Sequence, residues 1–194
     1  DIDYYATYQI AEIYMANVDW PGNNTKFWRE KGENGKWRWI VFDIDAGLAA
    51  WADDGFDATY NTLEIATAAN GPSDMPWGRE STWPNPPWST FVLRSLLTNQ
   101  NFENLFLVTL CNLMSTNFKP EISKQWVDEK ADLVIQEIDN HENRWDASGR
   151  WDIEENRTTI KNFLDDRRGH IIQHFKDFFS LSGAMNALNI DLTQ

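Results

Sequence analysis

Asn17-Val18-Asp19-Trp20-Pro21-Gly22-Asn23-Asn24 and Val41-Phe42-Asp43-Ile44-Asp45-Ala46-Gly47 are the two stretches on which the reading of this chain turns. The first breaks a helical pattern, because Pro and Gly punctuate a loop. The second closes a β-rich run with paired acids and a glycine. Between them lie two strand candidates, 25–29 and 36–42, joined at Gly32-Glu33-Asn34-Gly35; Asn-Gly ahead of a β-rich run is a hairpin signal. Trp37, Trp39, Ile40, Val41 and Phe42 make the second strand read as one buried on both faces. Upstream, residues 3–16 read as a helix with Tyr4, Tyr8, Ala11 and Met15 on one face.

Downstream, residues 48–87 lose their period. Five of the seven prolines fall there, so that region is expected to hold one short helix at most. From Asp43 to Glu80 there are eight acids (Asp43, Asp45, Asp53, Asp54, Asp57, Glu64, Asp74 and Glu80) against one base, Arg79. The remainder is helical. Ser89 is the expected cap of a helix to about 98, and a second covers 102–115 with Phe102, Leu105, Phe106, Leu110 and Leu113 inward. A long helix after Pro120 carries Trp126, Leu133, Val134 and Ile138. Another over 152–179 carries Ile160, Phe163, Leu164, Ile171, Phe175 and Phe178. Residues 187–192 read as a terminal strand. The expected fold is α+β, one domain over 1–194, dominated by helices with a small hairpin beside the chemistry.

Composition bounds the partners. A net charge of -13, from 30 acidic and 17 basic residues, makes nucleic acid a poor ligand and favours metal cations or basic polypeptides. No apolar run reaches the roughly 18 residues of a membrane span. The single cysteine, Cys111, excludes an intrachain disulfide, and its apolar surroundings suggest a buried thiol.

Phosphoryl transfer needs a carboxylate beside the attacking hydroxyl, and oxygens that hold Mg²⁺ against the phosphates. In protein kinases these come from an Asp with an Asn five residues on, then a hairpin, then an Asp shortly before Gly. Asp19 and Asn24 have that spacing, and Asp43, Asp45 and Gly47 follow the hairpin in the same order. A persisting strand would put Asp43 and Asp45 on one side, where a divalent cation would relieve their repulsion. Each element alone is common; the order is restrictive.

The segments 17–29 and 35–47 resemble the signature of the CotH kinase family, atypical kinases named for a spore coat protein, and weaker similarity runs to about residue 180. The resemblance implies a protein-kinase-like C-terminal lobe that phosphorylates Ser or Thr of proteins from ATP with Mg²⁺ or Mn²⁺. By that resemblance Asp19 is the catalytic carboxylate, and Asn24 with Asp43, Asp45 or both holds metal. It also implies an upstream lobe, with a Lys that pairs the phosphates and a Glu that pairs the Lys, lying ahead of this sequence. A basic, Ser-rich protein is the expected acceptor, and the cell surface or a secreted setting is the family expectation.

Other polar residues carry weaker readings. Lys26 and Arg38 on the hairpin could steer phosphates or stand as exposed strand residues. His170 and His174 have a metal-compatible spacing but sit among Leu164, Ile171 and Phe175, which suits a structural role. Arg167-Arg168 could bind phosphate, with a solvated helix face the plainer reading. Trp20, Trp51, Trp77, Trp83 and Trp88 crowd the same region, which leaves open a carbohydrate-active or carbohydrate-binding domain, or an inert interaction domain that docks basic peptides.

Overall fold

The computed structural model describes residues 1–69, 86–145 and 152–182. Asp74, Trp77, Arg79, Glu80, Trp83 and the expected strand at 187–192 lie outside them. Helices dominate: α1 (Ile2–Met15), α2 (Thr62–Thr67), α3 (Pro87–Leu96), α4 (Gln100–Ser115), α5 (Pro120–Val134), α6 (Ile138–Trp145) and α7 (Ile153–Phe178). One antiparallel hairpin joins β1 (Lys26–Trp28) to β2 (Arg38–Ile40), with Phe27 opposite Trp39. No described helix is long and apolar enough to cross a membrane.

The first helix runs through the middle of the molecule. Asp1 caps it by accepting from the Tyr4 amide, and Ala16 ends it in the left-handed region at φ 52°. Packing against α2, α4 and β2 buries most of its surface, including Tyr5, Ala6, Tyr8, Gln9, Ile10, Glu12, Ile13 and Tyr14. The expected stripe therefore fails: Tyr8 is buried, but Tyr4 is exposed and Ala11 and Met15 are half-buried. A helix enclosed on several sides has no single apolar face to read.

The core continues through a file of aromatic rings. Phe106 lies between Phe102 and Phe175, with ring centroids 5.9 and 5.7 Å away. Asn99 and Asp152 cap α4 and α7 by accepting from main-chain amides of the first turn. Ser89 is not the cap of α3. Pro86 and Pro87 start that helix, and the Ser89 hydroxyl lies inside the first turn, donating to the Pro86 carbonyl.

Two further expectations are corrected. The second strand is not buried on both faces: Trp37, Ile40, Val41 and Phe42 are exposed, because among the described residues the sheet has two strands and α1 covers one side. Trp39 makes that contact, its ring edge-on to Tyr5 at 4.6 Å. The helix after Pro120 does not drive Trp126, Leu133 and Val134 into the core. It breaks at a 3-10 turn, Ile135–Glu137, and those three side chains are exposed. Trp126 and Val134 line an apolar groove of about 460 Å³ with Phe118 and Leu164. Helix α5 is joined to α7 by the ion pairs Lys124–Asp165, Arg157–Asp132 and Lys161–Asp128. Phe178, expected inward, is exposed at the end of α7.

Candidate active site

The loop after α1 is organised around one carboxylate oxygen. The side-chain amides of Asn23 and Asn24 both donate to Asp19 Oδ2, at 2.6 and 3.0 Å. Asn24 also donates to the main-chain carbonyl of Asp43, 3.3 Å away. Asn24 and Asp43 take φ of 53° and 56°, a left-handed conformation that Asn and Asp tolerate better than most residues. One carboxamide thus links the first acidic loop to the second.

The second loop does not continue the strand. Pairing stops at Ile40 and the backbone reverses hand at Asp43, so strand alternation does not set the relation of Asp43 to Asp45. Residues 44–47 form a turn closed by the Gly47 amide on the Ile44 carbonyl, at 2.9 Å. This turn is laced to the base of the Asp19 loop through the main chain. The Val18 amide donates to the Ala46 carbonyl at 3.2 Å, and the Leu48 amide to the Met15 carbonyl at 2.7 Å. Gly47 is required by space: a Cβ there would lie 2.9 Å from the Met15 carbonyl oxygen and 3.2 Å from that of Ile44.

The structure brings Asp19, Asn24 and the Asp43 main chain together. Asp43 and Asp45 carry exposed side chains. Asp45 lines a cleft of about 690 Å³ of mixed polarity, bordered by Trp51, Asp53, Asp54 and Glu155. Among the described residues no three His, Cys, Asp or Glu side chains are gathered to hold a metal ion. The oxygens of Asn24, Asp43 and Asp45 are nevertheless the hard donors that Mg²⁺ accepts, and Mg²⁺ ordinarily takes one or two protein carboxylates plus phosphate and water. Lys26 lies over the Phe42 ring, 3.2 Å from its centroid, and Arg38 pairs with Asp1 at 3.1 Å.

Behind the loop sits a polar group the sequence reading missed. Glu12 on α1 is fully buried, and its Oε2 accepts from the Asn17 side-chain amide at 2.9 Å. Asn17, also fully buried, accepts from the Asp19 main-chain amide through Oδ1 at 3.2 Å. Among the described residues Glu12 Oε1 has no hydrogen-bond partner. Burial without a compensating cation pushes the Glu12 carboxyl up to about 7, against the opposing pull of the Asn17 hydrogen bond. Alongside, the indole of the buried Trp20 donates to the Tyr8 hydroxyl at 2.9 Å. A lone acid between Ile10 and Ile13, one turn before an Asp-bearing loop, was the available signal.

Arg167 was also misread. It is neither a solvated residue nor placed to bind phosphate: it is fully buried and donates to the carbonyls of Ile13, Tyr14, Ala58 and Tyr60 at 2.7 to 2.9 Å. It thereby caps the C-terminal end of α1 and ties it to the segment before α2. Burial pulls its guanidinium down to about 10, which leaves it charged at neutral pH. Arg168 does the same for α4, donating to the Met114 carbonyl at 2.6 Å. His174 is half-buried with its pKa pulled down to about 4, by burial first and then by Arg167, which suits a neutral packing role. Cys111 is half-buried, and burial raises its thiol. Of the tryptophans expected around the site, Trp20 is buried, while Trp51 and Trp88 are exposed.

No curated protein and no solved structure matches the chain. A family model described as CotH kinase protein matches residues 1–171, which takes in α1, both acidic loops, the hairpin and most of α7. The chain belongs to the CotH kinase protein family.

Proposed function

We propose that this chain is the catalytic part of an atypical kinase that moves the γ-phosphoryl group of ATP to Ser or Thr of a protein. One observation carries the reading: the Asn24 side chain joins the Asp19 carboxylate to the loop of Asp43 and Asp45. That is the relation a transfer site needs between the group facing the acceptor and the groups facing the nucleotide.

Asp19 takes the role of general base. Its Oδ2 is held by two carboxamides, so Oδ1 is the oxygen turned over to the acceptor. The acceptor Oγ forms a bond to the γ-phosphorus, the bond to the β,γ-bridging oxygen breaks, ADP departs and the hydroxyl proton passes to Asp19. Asn24, Asp43 and Asp45 are the residues that would hold Mg²⁺ or Mn²⁺, which would neutralise charge on the phosphates. The acidic surface favours a basic, Ser-rich acceptor.

The test is transfer of labelled phosphate from ATP by the natural full-length protein, with Mg²⁺ or Mn²⁺, onto a basic Ser-rich protein. Asp19→Ala is expected to lower kcat by about 10²- to 10⁴-fold. Asp45→Ala is expected to lower it with a raised metal requirement. Transfer indifferent to Asp19→Ala would end this assignment of the base.

A further inference from the structure

Glu12 is the most anomalous polar group in the described core. Buried carboxyls normally find a partner for each oxygen, and an orphan oxygen costs free energy. Here Oε1 has none, and the residue still occupies the middle of the central helix. An apolar side chain of similar volume would satisfy packing without that penalty. Its one bond points at the catalytic loop: Glu12 Oε2 takes the Asn17 amide, and Asn17 Oδ1 takes the Asp19 N–H. Asp19 is thus gripped from both sides, by Asn23 and Asn24 on its carboxylate and by Asn17 on its main chain.

The geometry points to Glu12 as a positioning residue of the transfer site, acting through Asn17 to fix the backbone orientation from which Asp19 presents its carboxylate. The inference rests on the phosphoryl-transfer reading for its effect on rate. Its structural half, that Glu12 holds the Asp19 backbone, stands independently. Glu12 does not touch the acceptor or the nucleotide, so the expected signature is a loss in kcat with little change in KM for ATP.

Two near-isosteric variants separate the roles. Glu12→Gln keeps a carbonyl that accepts from Asn17; Glu12→Met keeps the volume and helix propensity but offers only a weak thioether acceptor. In the full-length protein, Gln is expected to hold kcat within about twofold. Met is expected to lower kcat by about ten- to a hundredfold, the scale of a sub-ångström to ångström misplacement of a catalytic group. Met removes an unpaired buried oxygen but leaves the buried Asn17 amide without its acceptor, so the thermal midpoint is expected to fall by a few degrees and kcat is compared well below it. Amide hydrogen exchange at Asp19 is followed in parallel, with about a tenfold acceleration expected in Met and none in Gln. Wild-type kcat and wild-type Asp19 exchange in Met would overturn the inference. Should the wild-type protein transfer no phosphate, the kinase reading fails, and Asp19 exchange alone decides whether Glu12 positions the loop. If Glu12→Met does not fold, Asn17→Ala interrupts the same link from the loop side and is read in the same way.

Discussion

The buried Glu12 carboxyl leaves a mark on stability as well as on geometry. Its pKa rises from 4.5 in the unfolded chain to about 7 in the folded one, chiefly through burial, so the folded state binds more protons across that window. The associated stability is fully present below pH about 4.5 and is lost as pH rises through about 7, an amount on the order of 3 kcal/mol. His174 works in the opposite sense. Its folded pKa of about 4 lies below the unfolded 6.5, so its contribution is present above 6.5 and disappears as pH falls through 4. The two partly cancel in the wild-type profile, and subtraction exposes them. Urea denaturation of wild type and Glu12→Gln between pH 4.5 and 7.5 should give a difference that declines steadily with pH. A flat difference would mean that Glu12 titrates as an ordinary surface acid.

At the scale of elements, the joint between α1 and α7 outweighs any single apolar contact near the loop. Arg167 answers four carbonyls at once; those of Ile13 and Tyr60 also accept from the Ala16 and Thr62 amides, whereas those of Tyr14 and Ala58 rely on the guanidinium. Arg167→Met should cost about 3–5 kcal/mol, because the Tyr14 and Ala58 carbonyls lose their donor and those of Ile13 and Tyr60 lose their second one. Arg167→Lys should recover little, since an ammonium cannot reproduce the planar fork. A urea denaturation loss below about 1 kcal/mol in Met would contradict this role. The apolar spacing placed α4 and α7 to within two residues at each end, though not which residue caps them nor that Phe178 is exposed, and it placed the hairpin to within two residues of each observed end. It could not say which faces would be covered. Trp37, Val41 and Phe42 look like core residues in any sequence reading, yet one layer of helix covers only one side of a two-stranded sheet. Trp126, Leu133 and Val134 mislead for the same reason: periodicity shows that a helix has an apolar face, not that a neighbour occupies it. The candidate acids Asp19, Asp43 and Asp45 could be singled out because their order along the chain is restrictive, and the fold joins their two loops through Asn24. Glu12, Asn17 and Arg167 were not, because each acts through main-chain or buried partners that only the fold brings near.

For the whole molecule, charge sets the balance. With 30 acidic against 17 basic residues, long-range repulsion opposes compaction at low salt. The ion pairs between α5 and α7 sit at partly exposed side chains, where such pairs contribute about 0–1 kcal/mol each. Screening should therefore help more than it harms. Raising NaCl from about 10 to 150 mM is expected to lift the thermal midpoint by a few degrees. A falling midpoint in calorimetry would show that the pairs, not the excess charge, dominate.

The lacing between the two acidic loops has a consequence for how this site can vary. Its threads are the amides of Val18 and Leu48 and the carbonyls of Ala46 and Met15, groups that every residue except proline supplies in full. Apart from the Asn24 carboxamide, the links that set the distance between the two loops do not depend on which side chains surround them. Sequence drift can repaint the walls of the site while its frame keeps its dimensions, except at Gly47, where any added carbon would push the two loops apart.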